Sequence, residues 1–122
     1  MTCPFCNPEP PEVVLENDLC YARCDRYPVS PGHLLIIPFR HFADFFEATA
    51  GEEEALLALV REAKRHLDRE FGPDGYNVGV NIGAAAGQTV MHLHVHLIPR
   101  YEGDIENPRG GVRGVIPEKR VY

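Results

Sequence analysis

Over residues 91–98 the chain alternates imidazoles with aliphatic side chains: His92, His94 and His96 are spaced by Leu93 and Val95 and followed by Leu97 and Ile98. Alternation is the period of a β-strand, in which successive side chains point to opposite faces. A strand here carries three rings on one face and an apolar row on the other. The apolar row belongs in a core. The rings are costly to bury without partners, and imidazole is the side chain best suited to proton transfer, nucleophilic attack or metal binding near neutral pH. The histidine row is the expected functional centre.

The rest of the chain supplies a sheet for that strand. Residues 13–16 and 18–24 read as two strands joined at Asn17 and Asp18, a turn pair. Pro28, Pro31 and Gly32 mark a loop, and residues 33–37 form a near-continuous apolar run stopped by Pro38, the pattern of a central strand. Thr49 and Glu52 make a capping box. Leu56, Leu59, Val60, Ala63, Leu67 and Phe71 then recur at helical spacing until Gly72 and Pro73. That stripe is core, and His66, outside it, is expected to be solvated. Residues 76–81 read as a further strand, 83–87 as a small-residue loop, and Pro99 as the end of the histidine strand. Beyond Arg100 the chain is rich in Gly, Pro and charge, which predicts an extended tail over 105–122. Several strands around one main helix predict an α+β fold with a mainly antiparallel sheet.

With 122 residues the chain fits one domain, and 44% hydrophobic with 25% charged residues is the balance of an ordinary globular protein. A formal charge of −6 without a long basic block argues against a nucleic-acid polymer as partner. The apolar stretch at residues 34–37 is far too short to cross a bilayer, and no leader sequence is evident, so no membrane partner and a cytoplasmic location are expected. Four cysteines in that setting are ligands or free thiols rather than disulfides.

Two chemistries compete for the histidine row. Two alternate histidines on a strand can share one zinc, but His92 and His96 lie about 13 Å apart at roughly 3.3 Å per residue. Zinc holds nitrogen at about 2.1 Å, so at least one ring does something else. The preceding loop, with Gly83, Ala84, Ala85, Ala86 and Gly87, lets backbone amides approach a ligand, and Gln88 and Thr89 add an amide and a hydroxyl. Together these make a donor-rich cradle for an anion, which suits phosphorus chemistry.

The run Gly87-Gln88-Thr89-Val90 before His92-Leu93-His94-Val95-His96-Leu97-Ile98, the stretch Pro31-Gly32-His33-Leu34-Leu35-Ile36-Ile37-Pro38 and Asp25 together resemble the histidine triad (HIT) superfamily of nucleotide hydrolases and transferases. The resemblance covers roughly residues 3–104 and leans toward the branch with dinucleoside polyphosphate hydrolases. It implies a HIT-like sheet of about five strands with one long helix and a short one. It implies that His94 attacks the α-phosphorus of a dinucleoside polyphosphate or nucleoside phosphoramidate, forming a covalent nucleotidyl-histidine that water cleaves. His96 would then contact the scissile phosphate or leaving group. Asn81, Gly87, Gln88 and Thr89 match phosphate-contacting positions, Asp25 a ribose-contacting one, and apolar side chains near residues 4–20 a base pocket. No catalytic metal is implied, and a homodimer is. A nucleotide-binding or regulatory protein with little turnover, a nucleotidyltransferase and a metallohydrolase remain as alternatives.

Cys3 and Cys6 form a Cys-x-x-Cys zinc half-site. Cys20 and Cys24 complete it poorly, being about 13 Å apart if they share a strand. They read instead as small fillers on one side of it. In zinc-containing members of the superfamily the positions of His41 and His92 complete such a site, which implies a structural zinc on Cys3, Cys6, His41 and His92. In the tail, Arg109 and Arg113 read either as phosphate contacts or as solvated side chains.

Overall fold

The expected alternation is realised in a five-stranded antiparallel sheet: β1 (Leu15–Glu16), β2 (Cys20–Cys24), β3 (Leu34–Pro38), β4 (Gly75–Val80) and β5 (Val95–Arg100), in the order β1-β2-β3-β5-β4. These coordinates are a computed structural model and describe residues 2–122. β3, apolar throughout, takes the centre and is fully buried along its length. The helix α1 (Ala50–Glu70) covers one face, setting Leu56, Leu59, Ala63 and Leu67 against Ala22, Leu34, Ile36, Val95 and Leu97. Alternate residues Tyr21, Leu35 and Ile37 face the other way and meet Phe5 from the N-terminal segment. His96 shares that second face, because it pairs with Leu35 across the ladder.

Several expectations are corrected. The histidine strand is shifted toward its C-terminus: β5 starts at Val95, and His92 and His94 lie on the segment leading into it, where Leu93 N–H donates to Phe42 O rather than to the sheet. Pro99 does not stop the strand but pairs with Tyr76 inside it. Its carbonyl accepts from Ser30 Oγ at 2.6 Å, so its missing N–H faces the side where the ladder to β3 has already ended at Leu34. Phe71, expected in the core stripe, is the helix C-cap and is half exposed. Cys20 is a buried filler whose thiol burial pushes up to about 12, but Cys24, at the end of β2, is exposed. His66 is half-buried rather than fully solvated.

The tail is not extended. It folds into two 3-10 turns, Gly111–Val115 and Pro117–Lys119, tied by Arg120 Nη1, which donates to the carbonyls of Asn107 and Arg109 at 2.7 and 2.6 Å. Arg113 Nη2 donates to Lys119 O, and Arg109 and Arg113 both lie over the Tyr122 ring. Gly110, at φ +93°, makes the turn, and a Cβ there would collide with the carbonyl of Arg120.

The capping box is also an ion-pair site. Glu52, 4% exposed, accepts from Thr49 N–H and takes a two-pronged contact from Arg40 at 2.8 and 3.0 Å. The Arg40 contact above all holds its carboxyl down at about 2, from an ordinary 4.5. A depressed carboxyl pKa contributes stability that is complete above the unfolded value and lost as pH falls through the folded one. Glu52→Gln is expected to lower unfolding free energy at pH 7 by about 1–3 kcal/mol. In urea titrations the difference from wild type should shrink as pH drops from near 4.5 to near 2.

Candidate active site

The segment entering β5 and the N-terminal turn assemble two adjoining sites from the histidine row. His92 is wholly buried. Its Nε2 lies 2.7 Å from Pro38 O, and a carbonyl only accepts, so Nε2 carries the proton and Nδ1 presents a lone pair. That Nδ1 sits 3.4 Å from Cys3 Sγ, 3.5 Å from Cys6 Sγ and 3.1 Å from His41 Nδ1, while Cys6 Sγ is 3.1 Å from His41 Nδ1. The ligand atoms of Cys3, Cys6, His41 and His92 all lie within 4.8 Å of one another. A tetrahedral ion with bonds of about 2.1–2.3 Å has donor-to-donor edges of about 3.4–3.8 Å. The four residues therefore fit a metal ion, and the Pro38 carbonyl orients His92 as outer partners of ligating imidazoles do.

His94 is oriented in the opposite sense. Its Nδ1–H donates to His92 O at 2.9 Å, which leaves the lone pair on Nε2. No buried side-chain nitrogen or oxygen among the described residues lacks a partner, so this unbonded Nε2 reaches solvent. It opens into a cavity of about 690 Å³ lined by both His94 and His96. Phe5, between the two N-terminal cysteines, packs edge-on against His94 at 5.1 Å and His92 at 6.1 Å. Tyr21 Oη donates to Phe5 O and Arg23 Nη1 to Pro4 O, so β2 fixes the turn that places this ring.

Of the expected ligand contacts, Asp25, Asn81, Gly87 and Thr89 line the cavity with the two histidines. Gln88 does not: its side chain turns inward, accepting from Gly83 N–H and donating to Ala43 O and Val90 O. The amides of Ala86, Gly87 and Gln88 are likewise bonded within the loop, so these amides do not form the anticipated anion cradle. The polar end of the cavity is instead made by side chains. Asp25 uses Oδ1 to accept from Tyr27 N–H and aims Oδ2 at His33 Nε2, 3.4 Å away.

Three features escaped the sequence reading. His33, treated there only as part of a strand motif, is 2% exposed and contacts His96 at 3.0 Å. Its signal was a lone imidazole heading an apolar run. Phe5 stands between metal-type cysteines, a position with no periodicity to betray it. The tail contributes Val112 and Val115, not Arg109 or Arg113, to the cavity wall. Gly110→Ala should release that wall, and we expect the Kd for a nucleotide, measured calorimetrically, to rise several-fold with the unfolding midpoint little changed.

The chain matches known proteins closely enough, in sequence and in fold, to assign the class. The profile of the HIT domain matches residues 7–103, and the chain belongs to the HIT family. An AP-4-A phosphorylase of Mycobacterium tuberculosis is 40% identical over 93 residues, 75% of this chain and 48% of that protein, so the chain spans about half the length of this relative. A HIT family protein of Bacillus subtilis superposes with a TM-score of 0.76 at 34% identity, covering 85% of this chain and 77% of that one. A zinc-bound histidine triad family protein of Mycobacterium smegmatis does so with a TM-score of 0.71 at 30% identity, over 78% and 69%.

Proposed function

We propose that this protein is a HIT-type nucleotidyl hydrolase that cleaves a dinucleoside polyphosphate or nucleoside phosphoramidate at its α-phosphorus. One observation carries the reading: His94 Nδ1–H is tied to a backbone carbonyl, so the Nε2 lone pair faces a nucleotide-sized cavity. Attack by Nε2 forms a nucleotidyl-histidine, which water then opens. His96 and Thr89 donate hydrogen bonds to the phosphoryl oxygens, Asn81 and Gly87 border them, and Asp25 borders the ribose. Pro4, Phe5 and Leu35 form an apolar wall for the base. Rapid quench into alkaline denaturant, with the ³²P label on the α-phosphorus, tests this, because a nucleotidyl-histidine survives alkali but not acid. A labelled adduct on His94 supports the hydrolase, whereas tight nucleotide binding without an adduct returns the chain to the binding or regulatory class.

In this reading Cys3, Cys6, His41 and His92 hold a structural zinc, supported by the donor set and by the zinc-bound relative. The ion ties the N-terminal turn to the sheet, and its thiolate ligands suit a reducing, cytoplasmic setting. No catalytic step requires it. β4 is an outer strand with one unpaired edge, which supports a homodimer formed by edge pairing.

A further inference from the structure

Two arginines line the cleft, Arg23 and Arg26, and they differ in setting: Arg26 is exposed, whereas Arg23 is 6% exposed. Tyr21, Arg23 and Asp25 alternate along β2 and its continuation, so they share one face of the sheet, and Arg23 pairs with Leu35 across the ladder. The guanidinium is held from two sides. Nη1 donates to Pro4 O at 3.2 Å and Nη2 to Glu12 Oε2 at 2.5 Å. Its carbon lies 5.7 Å from the centre of the Phe5 ring, and that ring lies 5.1 Å from His94. One aromatic ring thus touches both the buried cation and the central imidazole.

A guanidinium has more N–H bonds than these two partners use, and it has no acceptor of its own. Among the described residues Nε–H finds no acceptor, yet no buried side-chain nitrogen there lacks a partner, so this donor reaches open space. The cleft is the space that Arg23 lines. Phosphate is a poor match for it. The Glu9 N–H, and then the Arg23 charge, hold the Glu12 carboxyl below its ordinary range, so the cation is already balanced by an ionised partner. Its other neighbours, Pro4, Phe5 and Leu35, are the apolar wall suited to a flat heterocycle.

We infer that Arg23 is a specificity-determining residue that reads the edge of the base, and that the protein prefers nucleotides of 6-oxopurines, guanine or hypoxanthine, over those of adenine. The inference rests on the reading above, which sets the base against Pro4, Phe5 and Leu35. A 6-oxopurine presents O6 and N7 as adjacent acceptors that an arginine can contact together, whereas adenine carries an amino group where O6 stands. That amino group donates, and so does the guanidinium, so adenine leaves both groups unsatisfied against an apolar wall. Glu12 does not relieve the mismatch: it is outside the cavity wall and already accepts from Glu9 N–H and Arg23.

The test measures calorimetric Kd values for the 5′-monophosphates of guanosine, inosine and adenosine, and kcat/KM for diguanosine and diadenosine tetraphosphate, on wild type, Arg23→Lys and Arg23→Gln. Wild type should favour the oxopurines by about tenfold or more in both quantities, the discrimination of one paired arginine contact. Inosine should match guanosine, because it lacks the 2-amino group but keeps O6. Arg23→Lys, still a cation that only donates, should keep the sense of the preference. Arg23→Gln, whose amide can donate to a carbonyl or accept from an amine, should bring the ratio within about threefold of unity. Both variants loosen the anchor on Pro4, so a loss common to all bases is expected and only the ratio reports recognition. If the glutamine variant does not fold, the wild-type series and the lysine variant decide. Equal wild-type affinity for the three monophosphates, tighter binding of adenosine, a guanosine preference that inosine does not share, or a ratio unmoved by Arg23→Gln overturns the inference. Equal kcat/KM for the two tetraphosphates overturns it and leaves the hydrolase reading standing. An oxopurine preference in binding, with no turnover and no adduct on His94, supports it and overturns the hydrolase reading instead. No binding of any of the three overturns both.

Discussion

His94→Ala is expected to lower kcat/KM by at least about 10⁴-fold, the scale on which enzymes lose a covalent nucleophile, and to abolish the nucleotidyl adduct. The variant should fold normally. His94 is only half-buried, and its one hydrogen bond runs to a backbone carbonyl two residues away that lies within its own segment. Nucleotide affinity should change little, because the apolar cavity wall at Phe5 and Leu35 and the polar residues Asn81 and Thr89 remain. His96→Ala is the internal comparison: loss of one hydrogen-bond donor to the phosphoryl group should cost about 10²–10³-fold. A panel of adenylyl and guanylyl substrates measures both variants and also reads the base preference. Activity within tenfold of wild type in His94→Ala would remove the central imidazole as nucleophile.

The second large effect concerns the metal cluster. Cys3→Ser with Cys6→Ser should abolish binding of about one zinc per chain and lower the melting temperature by roughly 10–20 °C. That shift corresponds to about 3 kcal/mol in a domain of this size. Turnover per folded molecule should fall far less, since no reacting atom lies among the four ligands. The reason is connectivity: one ion would join residues 3 and 6 to 41 and 92, closing long loops that are otherwise free in the unfolded chain. Metal analysis of protein purified without chelator, together with calorimetry, checks this. An absence of zinc, or a melting temperature unmoved by both substitutions, ends the structural-zinc reading.

The division of labour along the chain was legible wherever side-chain period set it. Leu56, Leu59, Ala63 and Leu67 had to share a helix face, Thr49 and Glu52 had to cap it, and the alternation at Val95, His96 and Leu97 had to split across a sheet; the structure has all three. What failed was punctuation that depends on partners. Pro99 is tolerated within β5 only because β3 has already ended beside it, and no reading of β5 alone contains that fact. The four candidate ligands do converge, yet Gln88 closes its own loop because the carbonyls of Ala43 and Val90 take its amide protons. The tail looked open because its order comes from arginine side chains binding carbonyls, a contact without sequence period.

A single sheet separates the helix from the cleft, so adjacent residues answer to different demands. Val95 contributes to how long the molecule persists folded, and His96, one peptide bond later, to what it can turn over. Substitutions beneath α1 should therefore shift lifetime without changing chemistry. Those on the opposite surface can redirect recognition while the scaffold stays intact, which leaves each property free to drift independently of the other.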